Sequence, residues 1–462
     1  MRLGLGWGSV LLLVVVETGC GSEQRGLEPS GRALSLDDSD GGVPSEGVGD
    51  DAGAVVATAA PAVELLDRNF GCKLINRANE YDPTTNQLQT RFNIRGADLG
   101  LSLAIGSDLY VFFGDTLGYR AIWSVAEADS VARIPLGTVR ADLTTLCSQL
   151  DFYVTADSRS VASDEDPTVL RDFAAAFIHP PPGEPLSRFV SNAPLGQPNI
   201  PGNLEVPSGV LRDRDQTYVF YASGSVELPF THPTRSFLAR WDDPSTPGYD
   251  VVTLLDDLTN GDLGGHFVHI SPVHQGDYTY LFGTGLLRLS AIYLARTRDV
   301  EDPAAYELYD AVAQRWQRAA SLTQSERANL APLAEQTGVG ELSAFYEAKL
   351  GVFGLLYQRE LRNGTGQIVD NRLLARFSSS PEGRWSDAVT VSDMGESEFR
   401  AQHCCGATCV GDEILHCERA GLYAAYALPF ISTDEGVLRV PYLVSTWDPY
   451  NVVLFEADFA LR

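Results

Sequence analysis

Three segments of the chain share one phrase, and that phrase leaves few folds open. "SFLARWDDPSTPGYD", "IYLARTRDVEDPAAYE" and "RLLARFSSSPEGRWS" each contain Leu-Ala-Arg. Nine or ten residues beyond each arginine comes an aromatic, so Arg240, Arg296 and Arg376 answer to Tyr249, Tyr306 and Trp385. The residues between are mostly Asp, Pro, Ser and Gly, which reverse a chain. Each copy therefore predicts a β-hairpin. Upstream of each copy lies an apolar, aromatic-rich run: "TYVFYASG", "YTYLFGTG" and "GVFGLLYQ". "LYVFFGDT" and "LRVPYLVST" are a fourth and a fifth run of the same kind. Five such units predict an all-β fold, a five-bladed β-propeller. The segment 311–336 has helical composition and predicts a helical insertion between the third and fourth units.

The propeller is expected to occupy residues 69–462. Residues 1–20 read as a signal peptide: Arg2, then "LLLVVV", then Gly19-Cys20 in the manner of a bacterial lipobox. Cys20 is the expected lipidation site, and the run is too short to span a bilayer. Residues 21–62 are rich in Gly, Ser, Asp, Glu and Ala, a composition that predicts a disordered linker. The chain is thus expected to be exported, as a cell-envelope lipoprotein or a secreted bacterial protein. Membrane attachment would come only through the lipid, and the body would be a monomer.

Asp and Glu number 61 against 34 Lys and Arg, a formal charge of −27. Such a surface repels nucleic acid. Setting Cys20 aside, six cysteines remain: Cys72, Cys147, Cys404, Cys405, Cys409 and Cys417. An even number in an exported chain points to disulfides. The crowded "HCCGATCVGDEILHC" could instead hold zinc, with His403 and His416 as ligands, although the spacing fits no standard finger.

The chemistry is expected where strands end. In "LYVFFGDTLGY" four apolar or aromatic residues, Tyr110 to Phe113, run into Gly114 and Asp115. Asp98, in "RGADLGL", lies seventeen residues upstream, across a hairpin. In a propeller, strand ends converge on one mouth of a central channel. Two carboxylates meeting there are the minimal apparatus for glycoside hydrolysis, one protonated and one ionised. The alternative is that Asp115 caps a turn and Asp98 begins one. Glu341 in "GVGELSAF" is a possible third carboxylate, or the partner of an arginine. His269 in "GHFVHISPV" could bind a sugar hydroxyl or sit satisfied in the core. Trp447 and Tyr450 in "STWDPYNVV" could stack on a sugar or pack inside. Glu205 is a weaker acid candidate. There is neither a phosphate loop nor a nucleophile elbow.

"GADLGLSLAIGSDLYVFFGDTLGY" resembles the opening of the family known as domain of unknown function 4185. "VPSGVLRDRDQTYVFYA", "GHFVHISPVHQGDYTYLFGTG", "VGELSAFYEAKLGVFGLLY" and "GLYAAYALPF" with "LVSTWDPYNVVLFEADF" follow in family order, so the resemblance covers most of 95–460. It implies a five-bladed propeller like those of arabinan- and fructan-cleaving glycosidases. It also implies inverting, endo-D-arabinanase-like chemistry with Asp98 and Asp115 as catalytic carboxylates. After Asp115 this chain departs from the family pattern, reading "RAIWSVAEADS", so sugar contacts from that stretch do not carry over.

The expected function is a glycoside hydrolase acting on a furanoside-containing polysaccharide. Asp115 would serve as base and Asp98 as acid, or the reverse. The alternative is a non-catalytic surface propeller that binds glycan or protein. No organic cofactor or catalytic metal is called for, although oxygen ligands in the channel could hold a structural cation.

Overall fold

The computed structural model describes residues 60–75, 85–92, 94–118, 127–152, 178–179, 183, 206–224, 233–241, 249–364, 368–406, 409, 413–418 and 420–462. The signal peptide with Cys20, most of the linker, and Glu205 lie outside the described residues.

Among the described residues, twenty of the 24 strands fall into five antiparallel groups of four, in chain order except for one strand, and the other four are short additions at the edges. Blade I comprises Leu99–Ile105, Asp108–Gly118, Glu127–Pro135 and Asp151–Phe152. Blade II comprises Val206–Asp213, Gln216–Ser223, Arg235–Trp241 and Tyr249–Asp257. Blade III comprises His269–Gln275, Tyr278–Thr284, Ser290–Thr297 and Glu307–Asp310. Blade IV comprises Ala334–Glu347, Val352–Arg362, Ile368–Ser378 and Val389–Asp393. Blade V comprises Leu422–Ala427, Val437–Thr446 and Asn451–Leu461, and borrows its outer strand, Val63–Lys73, from the other end of the sequence. That borrowed strand pairs Val63 with Leu461 and closes the ring through backbone hydrogen bonds. The first strands pack side by side in the order I to V and back to I. This is a five-bladed β-propeller.

Each part of the repeat read from the sequence has its own place in a blade. The five aromatic runs are the second strands, buried on both faces. In blade I, Leu109, Val111 and Phe113 face one hydrophobic cluster while Tyr110 and Phe112 face another. Five apolar clusters fill the molecule, each centred between two neighbouring blades. Such a strand must be apolar at every position, which is why it reads as a continuous run and does not alternate. The Leu-Ala-Arg arginines stand on the third strands of blades II, III and IV. Arg296 pairs with Glu307 at 2.7 Å, and Arg376 donates to the Tyr357 hydroxyl and the Ser386 carbonyl.

A row of serines ties the inner strands together. Backbone N–H groups of Ile270, Ala344 and Ala427 donate to the hydroxyls of Ser208, Ser271 and Ser343 at 3.2, 2.8 and 3.0 Å. In each case the serine belongs to the preceding blade. Leu99 N–H adds a fourth link, to Ser445 on the second strand of blade V at 2.7 Å, whereas the hydroxyl of Ser102 on blade I's inner strand makes no such bond. Inner strands lie too far apart to form a ladder with one another, so a short hydroxyl satisfies the exposed edge donor.

The segment near 311–336 contains the helix Gln324–Ala328, held by a Thr323–Glu326 capping box, and the 3-10 turn Ala319–Ser321. Its first part is a strand, Arg315–Arg318, which pairs with Glu307–Asp310. The alternation of Trp316 with the polar Arg315 and Gln317 serves that short hairpin, so the helical portion is shorter than its composition suggests. The cysteines form disulfides Cys72–Cys147, Cys404–Cys417 and Cys405–Cys409. The sulfurs of Cys405 and Cys409 are thus bonded to each other, with His416 nearby. His403 is buried among Phe70, Phe399 and Phe455 and not turned toward them as a ligand.

Candidate active site

Each blade delivers one residue from the head of its inner strand to one mouth of the channel: Asp98, Val206, His269, Glu341 and Tyr423. The cavity there has a volume of about 1260 Å³ and extends outward over blades IV and V. Asp98, Asp115, Glu341, His269, Trp447 and Tyr450 all line it. These six come from four separate stretches of the chain, and the fold brings them into one hollow.

Asp98 arrives by a local distortion. Ile94–Gly96 pairs with the far end of the second strand, and the chain then steps over to begin the inner strand. At that step Leu99 has φ +65° and Gly100 φ +110°, with a break in register between Leu99 and Leu101. A bulge of this kind re-aims the side chain before it. The Asp98 carbonyl accepts from Gly114 N–H at 3.1 Å. A Cβ on Gly114 would lie 2.5 Å from Asp98 Oδ1 and 2.7 Å from Leu99 Cδ1. Glycine before Asp115 is thus required by the close approach of Asp98. Asp115 stands on the second strand, one position beyond that glycine, and is only partly buried.

Asp98 is 7% exposed, and its Oδ2 accepts from the Tyr423 hydroxyl at 3.0 Å. The Tyr450 hydroxyl hydrogen-bonds the same carboxylate. Burial, and then the negative charge of Asp98, push both phenols well above their usual range. Both tyrosines therefore remain donors at any ordinary pH. Asp115 faces Asp129 across the ladder. Asp129 is buried, and the Tyr221 hydroxyl donates to it.

Glu341 is 6% exposed and lies 3.6 Å from the Arg288 guanidinium, so it has the arginine partner that one reading of the sequence allowed. His269 is buried at the head of its strand. Trp447 is 52% exposed and meets Tyr450 edge-on at 6.0 Å between ring centres. Trp447 is thus an open aromatic face on the cavity, whereas Tyr450 is a buried donor. Sequence reasoning did not single out Tyr423, Arg288 or Gln358. One signal was present. "VPS", "HIS" and "ELS" each place a residue two before an inner-strand serine, which marks Val206, His269 and Glu341 as equivalent. Blade V has alanine in its corresponding stretch, so Tyr423 carried no such mark.

The family described as domain of unknown function (DUF4185) matches residues 239–456. The match contains His269, Glu341, Trp447 and Tyr450 and begins after Asp98 and Asp115. A solved structure from Bacteroides ovatus ATCC 8483, provisionally described as a hydrolase, is similar with a TM-score of 0.53 at 14% identity, covering 84% of this chain and 94% of that one. A native Bacillus subtilis arabinanase is similar with a TM-score of 0.38 at 10% identity, over 79% and 96%. An α-L-arabinanase of Cellvibrio cellulosa, solved with arabinohexaose, gives 0.35 at 12% identity, over 78% and 91%. No curated protein matches the sequence. Over residues 239–456, more than half of its propeller, the chain matches the DUF4185 family that its sequence resembles.

Proposed function

We propose that this protein is a secreted or lipid-anchored glycoside hydrolase that cleaves a furanoside-containing polysaccharide, with Asp98 and Asp115 exchanging the protons. The observation that carries the reading is the convergence of both acids, from adjoining strands of one blade, on a single open cavity. The tyrosine pair sharpens the roles. Two phenol donors hold the Asp98 carboxyl in a fixed orientation within the cavity. Asp98 is assigned as the base that draws a proton from water. Asp115 stands partly exposed on the adjoining strand, one position beyond Gly114. It is assigned as the acid that protonates the leaving oxygen. This order reverses the one first expected from the sequence. Inversion needs carboxyl groups about 6.5–9.5 Å apart, with water between them. Trp447 would supply a stacking platform at the rim.

The test is incubation of the full-length protein with a panel of arabinans and other envelope polysaccharides, reading the appearance of reducing ends. Wild type should generate them, and Asp98→Asn and Asp115→Asn should each lose about 10²–10⁴-fold in rate. Cleavage at the wild-type rate by both variants would refute the assignment. Specific binding of a glycan without any cleavage would favour the non-catalytic reading.

A further inference from the structure

Beside the Asp98–Asp115 pair the cavity wall contains a recess that the proton chemistry does not use. It lies where blades III and IV meet, around Gly340. A Cβ on Gly340 would stand 3.1 Å from Arg288 Cγ and 3.1 Å from Gln358 Oε1, so both side chains lie close over the glycine and any side chain there would press on them. Three polar side chains enclose the recess, and each has spent one end and kept the other. Gln358 is 1% exposed, and its Nε2 donates to Asn371 Oδ1 at 3.2 Å, which fixes the direction of Oε1. Glu341 uses Oε1 on Arg288 at 3.6 Å. Arg288 lies over the Tyr423 ring, 5.3 Å from its centre. Its backbone is left-handed, φ +59°, and pinned by its N–H to the Val339 carbonyl at 3.0 Å. Left-handed backbone at a non-glycine residue costs free energy and collects at ligand sites.

Three buried atoms are left without partners: Gln358 Oε1, Glu341 Oε2 and Arg288 Nε. Buried polar atoms normally find partners, and leaving them unpaired is costly. The pattern is two acceptors and one donor. A carboxylate or phosphate would set its charge against Glu341 and has no proton to give to the two acceptors. An ammonium would sit against the Arg288 cation. A pair of neighbouring hydroxyls fits: one donates to Glu341 Oε2 and accepts from Arg288 Nε, and the other donates to Gln358 Oε1.

The geometry points to the Arg288–Glu341–Gln358 recess as a subsite that reads a vicinal diol of a neutral sugar unit next to the bond cleaved. Glu341 then serves as a binding residue and not as a proton donor. This inference rests on the glycosidase reading for what fills the cavity, but its test does not depend on turnover. The probe is a neutral arabinofuranosyl oligosaccharide, compared with its O-methylated derivative and with an oligogalacturonate of equal length. Binding is measured by titration calorimetry in the Asp115→Asn background, so that nothing is consumed. Gln358→Leu removes one acceptor at similar volume, and Gly340→Ala presses on Arg288 and Gln358. Each should weaken binding of the hydroxylated probe about tenfold, as loss of one well-placed hydrogen bond does. The methylated and uronate probes should bind weakly to every form. Should Gly340→Ala not fold, Gln358→Leu alone decides. Equal binding by parent and Gln358→Leu, no binding of the neutral probe by the parent, or tighter binding of the uronate would each overturn the subsite. Cleavage of polymer by Asp115→Asn would instead overturn the catalytic assignment and leave the binding comparison intact.

Discussion

The two ends of the central channel are built from the same five strands, yet they are chemically unlike. At one end the strand heads supply Asp98, His269, Glu341 and Tyr423 to a hollow of about 1260 Å³. At the other, a few residues further along, the same strands supply Ser102, Gly209, Ser271, Ser343 and Tyr426 to a hollow of about 370 Å³. Ser271 and Ser343 at this second end are occupied in joining blade to blade. The contrast teaches that ring closure and chemistry are separated along the inner strands of blades II, III and IV. The serine holds the ring, and the residue two positions earlier is released to face a ligand. A propeller can therefore change what stands at the open mouth without disturbing how the blades are fastened.

Titration with alkali gives the largest expected effect, and it should not distinguish the ends. Tyr423 and Tyr450 at the open mouth, and Tyr426 at the other, all have phenols pushed well above the usual range, mainly by burial. A raised folded-state value means that the folded protein keeps protons that the unfolded chain gives up above pH about 10. The stability these groups contribute is complete below that pH and is lost as pH rises beyond it. Each unit of pH then costs about 1.4 kcal/mol per tyrosine. Urea unfolding at pH 9 to 11, with phenolate absorbance followed in parallel, should show tyrosine ionisation coinciding with unfolding. Ionisation of these tyrosines in the folded protein would contradict the dry environment described for both ends.

The ring was the more legible part of the molecule, because a propeller writes its repeat into the sequence. Second strands buried on both faces must be apolar throughout, and the third-to-fourth strand hairpins must carry turn residues, so both repeat visibly. Asp98 and Asp115 were readable as acids abutting glycine-rich steps. Their role order was not, because it depends on Tyr423 and Tyr450, more than 300 residues away in the chain. Nor was the Arg288–Glu341 pair, which joins two blades. The helical composition of 311–336 misled over Arg315–Arg318, where pairing to a neighbouring strand outweighs local preference.

Two glycines sharpen the contrast between the ends. A Cβ on Gly114 would strike Asp98 Oδ1 at 2.5 Å, and one on Gly209 would strike the Ile270 carbonyl at 2.3 Å. Alanine at either should destabilise the protein by about 1–3 kcal/mol. Thermal unfolding reads that cost, and rates below the transition separate the two. Gly114→Ala should lose activity through displacement of Asp98, and Gly209→Ala should keep it. Equal activity in both would break the division between fastening and chemistry.

Trp447→Ala should weaken polysaccharide binding by about 0.5–1.5 kcal/mol, seen as a raised KM with kcat nearly unchanged. A fall in kcat with an unchanged KM would remove the stacking platform from the account. Ser271→Ala and Ser343→Ala should each cost about 1 kcal/mol in urea unfolding, because an edge N–H loses its acceptor, with no effect on kcat. If either variant changed kcat, the serine row would belong to the site and not to the ring.

The division of labour between the two acids is tested most directly by comparing leaving groups. Wild type, Asp98→Asn and Asp115→Asn are assayed on a furanoside polymer and on a nitrophenyl oligofuranoside, whose leaving group departs without needing a proton. The predicted result is that Asp98→Asn is inactive on both, whereas Asp115→Asn fails on the polymer and still cleaves the nitrophenyl substrate. Retention of polymer cleavage by either variant would contradict the account.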